Sequence, residues 1–376
     1  MTTHPSTSRL SRRDGLRLAA TGTASLAVAG LAGLAPAALA DAPAGRPAAA
    51  PAVGPGLEPG TGLEPGGVAH VAVTAATLWV EPATHRPGID DPSLTNPVDL
   101  DAWNENTPSD DSREWFLGRL ETQAVLGSEV IVDQIDGDWA HVVVTAQGTP
   151  RDPRGYPGWM PTVQLVADDG FLRASVSAPT ATVTALTSTL TGTPAGNHPG
   201  IDVSFDTILP VLGRTGKAVK VAVPGGPPAY LPAADVIVRE PGETPPRPTA
   251  EDIIATGERF LGLRYLWAGV SAYGFDCSGF TYTLLHHHGI AIHRDAEAQM
   301  RTSGLAPVER EDLQRGDLVF FATEPGGDSI RHVAVYLGDD LILQSPNFSR
   351  SVEIMSLTEY DPIGEYAGAR RAPLAG

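Results

Sequence analysis

The chain has 376 residues, with 26 Lys and Arg against 44 Asp and Glu, for a formal net charge of −18 at pH 7. A surface this acidic repels nucleic acid and anionic lipid, so neither is expected as a partner. A single cysteine excludes an internal disulfide, and the length predicts two or three domains rather than one.

The N-terminus reads "SRLSRRDGLRLAATGTASLAVAGLAGLAPAALADA". Paired Arg12 and Arg13, an apolar run and small residues at Ala38 and Ala40 predict a cleavable export signal over residues 1–40, of the twin-arginine type. The run is diluted by Gly and Ala and ends in Pro36, so a mature chain without a membrane anchor is expected, secreted or associated with the cell wall. With no cysteine near the cleavage site, a lipoprotein is not expected. Removing four arginines and one aspartate takes the charge from 26 − 44 = −18 to 22 − 43 = −21. Residues 41–66, mostly Ala, Pro and Gly, predict an extended linker.

Short apolar segments follow, among them "HVAVTAATLWV", "SEVIVDQI", "AHVVVTA" and "KAVKVAV", separated by Gly, Pro, Asp and Asn. They read as strands, with a hairpin turn at "DGDW". The pattern restarts near residue 170, which divides the region into two small all-β barrels, 67–168 and 169–240. A second linker, 241–248, leads into a domain over 249–376. There Thr249 and Asp252 form a capping-box signature before a helix of roughly ten residues. "FTYTLLHHHG" predicts a second helix, from Phe280 to Gly289, and "GDLVFFA", "HVAVYLG" and "DLILQS" predict consecutive strands. Helices before strands make this domain α+β.

The lone cysteine, Cys277, stands in "GFDCSGFTYTLL", just before the second predicted helix. A sulfur at a helix N-terminus is favoured as thiolate, and the polar, tightly turned flank of Asp276, Ser278 and Gly279 suits a nucleophile better than an inert core residue. Ten histidines compete as its base. His286, His287 and His288 lie about 100° apart around a helix and cannot converge on one metal ion, so they read as solvated, with His288 packed and no metal held. His332 opens an apolar strand, and a hairpin at "GDD" returns Gln344 to within a residue or two of it. If the faces agree, Gln344 accepts a hydrogen bond from one imidazole nitrogen and leaves the other free for Cys277.

In this order, "YLWAG…FDCSGF", "HRDAEAQ", "RGDLVFF", "HVAVYLG" and "LILQSP" resemble the NlpC/P60 family of bacterial cell-wall cysteine peptidases. The resemblance implies a papain-like catalytic domain that cleaves γ-D-glutamyl bonds to the diamino acid of peptidoglycan peptides. It assigns Cys277 as nucleophile, His332 as base and Gln344 to a third position that is most often histidine in the family. Tyr265 matches a tyrosine beside the nucleophile that helps hold the oxyanion; core packing is its other reading. Trp267, Asp276 and Ser278 join the substrate-binding set through the same motifs.

The front half resembles the bacterial SH3-like domains of γ-D-glutamyl-L-diamino-acid endopeptidases, enzymes that accept peptides with a free N-terminal L-alanine. That likeness carries over Glu121, Tyr156 and Asp295 as the groups receiving the amine. On the residues alone, Glu121 also reads as a solvated strand residue and Asp295 as a helix cap. The expected molecule is a monomeric exported hydrolase of muropeptides that requires no cofactor. A wall-binding protein without activity and a general endopeptidase on polymeric peptidoglycan stand as the alternatives.

Overall fold

A computed structural model describes residues 57–375. The expected export signal and the first part of the expected linker lie outside the described residues. Residues 57–66 run along the β-rich half, with Leu57 N–H bonded to the Gly225 carbonyl, Gly60 N–H to Leu165 and Gly66 N–H to Val132.

Two seven-stranded antiparallel sheets form that half, and both have the strand order third, second, sixth, fifth, fourth, first, seventh. The first sheet runs from Val68–Val71 to Leu165–Val166, and the second from Thr180–Val183 to Val236–Arg239. Alternate residues pack inside each: Val71, Leu78, Val130, Val132 and Val142 in one, Val183, Leu190, Leu209, Val221 and Leu231 in the other. "DGDW" turns as expected, with Asp136 paired to Trp139. The sheets are two copies of one SH3-like architecture.

The first barrel carries an insertion that the sequence reading does not contain. After Ala75–Trp79 the chain makes helices α1 (Leu100–Glu105) and α2 (Asp110–Glu114) before returning at Leu120–Val125. Trp103 and Phe116 of this insertion pack with Trp79 and Trp139 and, across the domain boundary, with Leu266 and Ala268. Arg264 donates to the carbonyls of Asn104 and Thr107, so the insertion joins the first barrel to the third domain. Helix α3 (Asp169–Ser177) connects the barrels.

The third domain opens with helix α4 (Ala250–Glu258), where Thr249 and Asp252 form the expected capping box. Helix α5 (Cys277–His287) follows, then α6 (Ala296–Arg301), and near the C-terminus α7 (Leu357–Tyr360). The sheet is antiparallel, in the order Ala306–Val308, Tyr366–Arg371, Leu318–Ala322, Ile330–Gly338, Leu341–Gln344, Glu353–Ser356. Phe280 and Leu284 of α5 bury one sheet face with Phe320, Val333, Val335 and Leu343. The other face holds Val319, Phe321, Ala334 and Ile342 under Leu357 of α7. Gly338 pairs with Leu341, leaving Asp339 and Asp340 as a two-residue turn with φ of 50° and 62°. Both φ values suit a type I′ turn, whose twist matches that of the strands it joins. That turn sets the register on which the site depends.

Candidate active site

Asp276 caps α5, its carboxylate accepting the Gly279 N–H at 2.6 Å. A Cβ on residue 279 would lie 2.0 Å from the Gly269 carbonyl oxygen, so only glycine lets the helix start this close to that loop. Cys277 is therefore the first residue of α5, three residues earlier than the sequence pattern places the start. It is 7 % exposed, and the backbone N–H groups of Ser278 and Val333 point at its sulfur. The expected thiolate is also corrected. Burial first, then the Asp276 charge, push the thiol up to about 12, outweighing those two N–H groups.

His332 is 1 % exposed, and its Nε2 stands 2.8 Å from Gln344 Oε1. The register that pairs Val335 with Leu343 sets Gln344 opposite Ala334, two residues from His332 on the same face. An amide oxygen only accepts, so Nε2 carries the proton and Nδ1 keeps its lone pair. Burial drives His332 down to about 3, so the substrate-free pair is a thiol and a neutral imidazole. Tyr360 of α7 covers His332, ring centroids 5.0 Å apart, and its hydroxyl accepts from Arg331 at 3.2 Å. Tyr265 is buried against Phe348, near enough to Cys277 for a charge there to raise its own hydroxyl further. Trp267 is half-buried, tilted over Phe348, and donates to the Leu120 carbonyl at 3.2 Å.

Behind the cysteine lies Arg294, 1 % exposed, which the sequence reading leaves without a role. It donates to Asp276 at 2.6 and 3.1 Å, to Ser278 Oγ at 2.9 Å and to Thr122 of the first barrel at 2.9 Å. The capping carboxylate is thus neutralised at the first turn of the helix. Asp276 and Ser278 are committed to this network.

The three residues assigned to an amine come together where the first barrel meets α6. The Tyr156 hydroxyl lies 3.0 Å from each Asp295 oxygen, and burial raises Asp295 above the usual carboxylate range. Asp295 stands at the cap position of α6 but makes no capping bond, which removes the alternative reading of it as a helix cap. Glu121 is not a solvated strand residue either: its side chain is 14 % exposed. Arg151, which sequence reasoning missed, grips Glu121 through both oxygens at 2.5 and 2.9 Å and approaches the Tyr156 hydroxyl at 3.3 Å. Two carboxylates, a phenol and one internal cation make a cluster suited to a positively charged group.

The histidine triplet departs from expectation at two of its three residues. His286 and His287 both bond Asp206 of the second barrel, at 2.5 and 3.2 Å, and His288 faces Thr256 at 2.9 Å. His286 and His287 are ties between domains rather than solvated side chains, and His288 packs against α4 as expected. Among the described residues, no group of three or more His, Cys, Asp or Glu side chains could hold a metal ion.

The chain matches the NlpC/P60 family over residues 262–371 and the YKFC SH3b2 domain over residues 183–238. A γ-D-glutamyl-L-lysine dipeptidyl-peptidase of Bacillus cereus is 46 % identical over 305 residues, covering 81 % of this chain and 90 % of that protein. One of Bacillus subtilis is 34 % identical, covering 80 % of this chain and 98 % of that protein. The crystal structure of a Bacillus cereus NlpC/P60 family protein superposes with a TM-score of 0.77 at 45 % identity, covering 81 % of this chain and 99 % of that one. With the cysteine at its helix start, the buried His332–Gln344 pair and the two barrels in front, the chain belongs to the NlpC/P60 family of cysteine peptidases.

Proposed function

We propose that this peptidase hydrolyses the γ-D-glutamyl bond to the diamino acid in peptidoglycan stem peptides that begin with a free L-alanine. The observation that carries the reading is the cluster of Glu121, Tyr156 and Asp295, joined to the Cys277 helix through Arg294, the residue before Asp295. An ammonium entering a half-dry pocket requires anionic partners, and a peptide still attached to glycan through its alanine lacks the charge that these groups compensate. The names of the two Bacillus relatives support the same bond class.

In the reaction, the Cys277 proton passes to Nδ1 of His332 as sulfur attacks the γ-carbonyl carbon. Backbone N–H groups at the start of α5, with the Tyr265 hydroxyl, face the developing oxyanion. Collapse breaks the C–N bond, the imidazolium proton goes to the leaving α-amine, and a thioester remains. Water, deprotonated by His332, then releases the acyl dipeptide. Hydrolysis of L-Ala-γ-D-Glu-L-Lys and of its N-acetylated form tests the reading; equal rates would contradict it.

We also propose export by the twin-arginine route, on the strength of Arg12 and Arg13. Replacing both by lysine should leave the protein in the cytoplasm, and unchanged export would overturn this.

A further inference from the structure

Glutamine at the third catalytic position raises a question about orientation. An ionised carboxylate there, which can only accept, fixes which imidazole nitrogen carries the proton. A primary amide does not, because rotating it by half a turn exchanges C=O for NH2 and would reverse the hydrogen bond to His332. In the reversed arrangement Nε2 accepts, Nδ1 carries the proton, and the imidazole has no lone pair left for the thiol.

The structure places a carboxylate where it decides between the two. Glu353 lies directly across the ladder from Gln344. Gln344 Nε2 donates to Glu353 Oε1 at 3.2 Å while Gln344 Oε1 receives His332 at 2.8 Å. Turning the amide would set its oxygen against the carboxylate, two acceptors in contact. The carboxylate is aimed in turn: Arg350 donates to Glu353 at 2.9 Å on one oxygen and stands 2.7 Å from the other. The Glu353 side chain is 23 % exposed, so the group lies at the edge of the site rather than in open solvent.

We infer that Glu353 is a positioning residue of the hydrolytic reaction, locking the Gln344 amide so that His332 carries its proton on Nε2 and offers Nδ1 to Cys277. It touches neither substrate nor sulfur and acts only through Gln344. The inference rests on the proposed roles of Cys277 and His332.

Its test is a double-variant cycle with two readouts. Glu353→Leu should lower kcat on L-Ala-γ-D-Glu-L-Lys about tenfold or more with KM little changed, since a wrong tautomer costs turnover and not binding. Glu353→Asp, keeping the charge, should recover part of the loss. On a Gln344→Ala background, Glu353→Leu should cost nothing more. In Cys277→Ser protein, which cannot turn over, ¹⁵N NMR should find the His332 proton on Nε2, and a mixture of both tautomers once Glu353→Leu is added. Glu353→Met, which nearly keeps the side-chain length but offers no oxygen acceptor, serves in the same measurements if the leucine variant does not fold. An unchanged kcat, a full additional loss on the Gln344→Ala background, or an unchanged tautomer would overturn the inference. Wild-type protein that fails to cleave the peptide while its His332 proton still sits on Nε2 would instead refute the proposed reaction.

Discussion

Arg294→Met removes what is, among the described residues, the one cation in contact with the carboxylate that caps the catalytic helix. Asp276 would keep its bond to Gly279 but lose both guanidinium contacts, at 2.6 and 3.1 Å, in a site where both side chains are nearly sealed from solvent. Breaking one side of such a buried pair typically costs about 3–5 kcal/mol, because the remaining charge is left uncompensated. The cost falls on the start of α5, so the local readout is the sulfur itself. In the wild type Cys277 is nearly buried and its thiol is pushed up to about 12, so alkylation by iodoacetamide near neutral pH is slow in the intact site and speeds up where the helix start opens. Arg294 lowers the thiol's pKa, so losing it makes the intact site less reactive, and any acceleration reports opening alone. A local loss of 3–5 kcal/mol corresponds to alkylation roughly 160- to 5000-fold faster. Adding Asp276→Asn removes the stranded charge while keeping a capping side chain, and should return most of the protection. Wild-type alkylation rates in Arg294→Met, or a double variant as labile as the single one, would refute the argument.

Three further outcomes follow from the same geometry. Gly279→Ala forces a Cβ to within 2.0 Å of the Gly269 oxygen, so activity should vanish and thermal stability fall by several degrees; a crystal structure with α5 unmoved would contradict this. The Asp206–His286 tie should be strongest between about pH 3.8 and 6.5, since Asp206 is lowered from 3.8 and His286 raised from 6.5. Its stabilisation should fade as pH rises through the raised histidine value and as pH falls through the lowered aspartate value. Unfolding midpoints of wild type and Asp206→Asn should differ most inside that window and converge above the raised histidine value; a constant difference would count against the tie. Arg151→Gln frees Glu121 from an internal competitor, so KM for the free-amine peptide should fall several-fold, whereas a rise would show that Arg151 instead orients the carboxylate.

What the sequence disclosed follows how local each signal is. The Thr249 capping box, the Asp339–Asp340 turn and the His332–Gln344 bond all depend on residues within one element or one hairpin, and short-range rules suffice for them. Arg294 escaped because its partners lie 18 and 172 residues away, and no spacing rule joins "HRD" to a threonine of the first barrel. The histidine triplet escapes for the same reason: consecutive helical positions diverge, yet His286 and His287 both reach the Asp206 carboxylate, which belongs to another domain and is invisible to helical spacing. Helices α1 and α2, six and five residues long, are too short for an apolar period to emerge. The start of α5 was placed late because Cys277, Ser278 and Gly279 carry no helical pattern; the Asp276 cap, not hydrophobicity, begins that helix. The thiolate expectation counted the helix terminus and left out burial, which is a property of the folded chain and the larger effect at this site.

In the proposed activity Cys277 cleaves a γ-glutamyl bond only when a free ammonium meets Glu121, Tyr156 and Asp295. Mass spectrometry of purified protein incubated with L-Ala-γ-D-Glu-L-Lys and with its N-acetylated form tests it most directly. The account predicts L-Ala-D-Glu and free lysine from the first peptide, little from the second and neither product with Cys277→Ala. Equal cleavage of both peptides, or cleavage that survives loss of the sulfur, would contradict it.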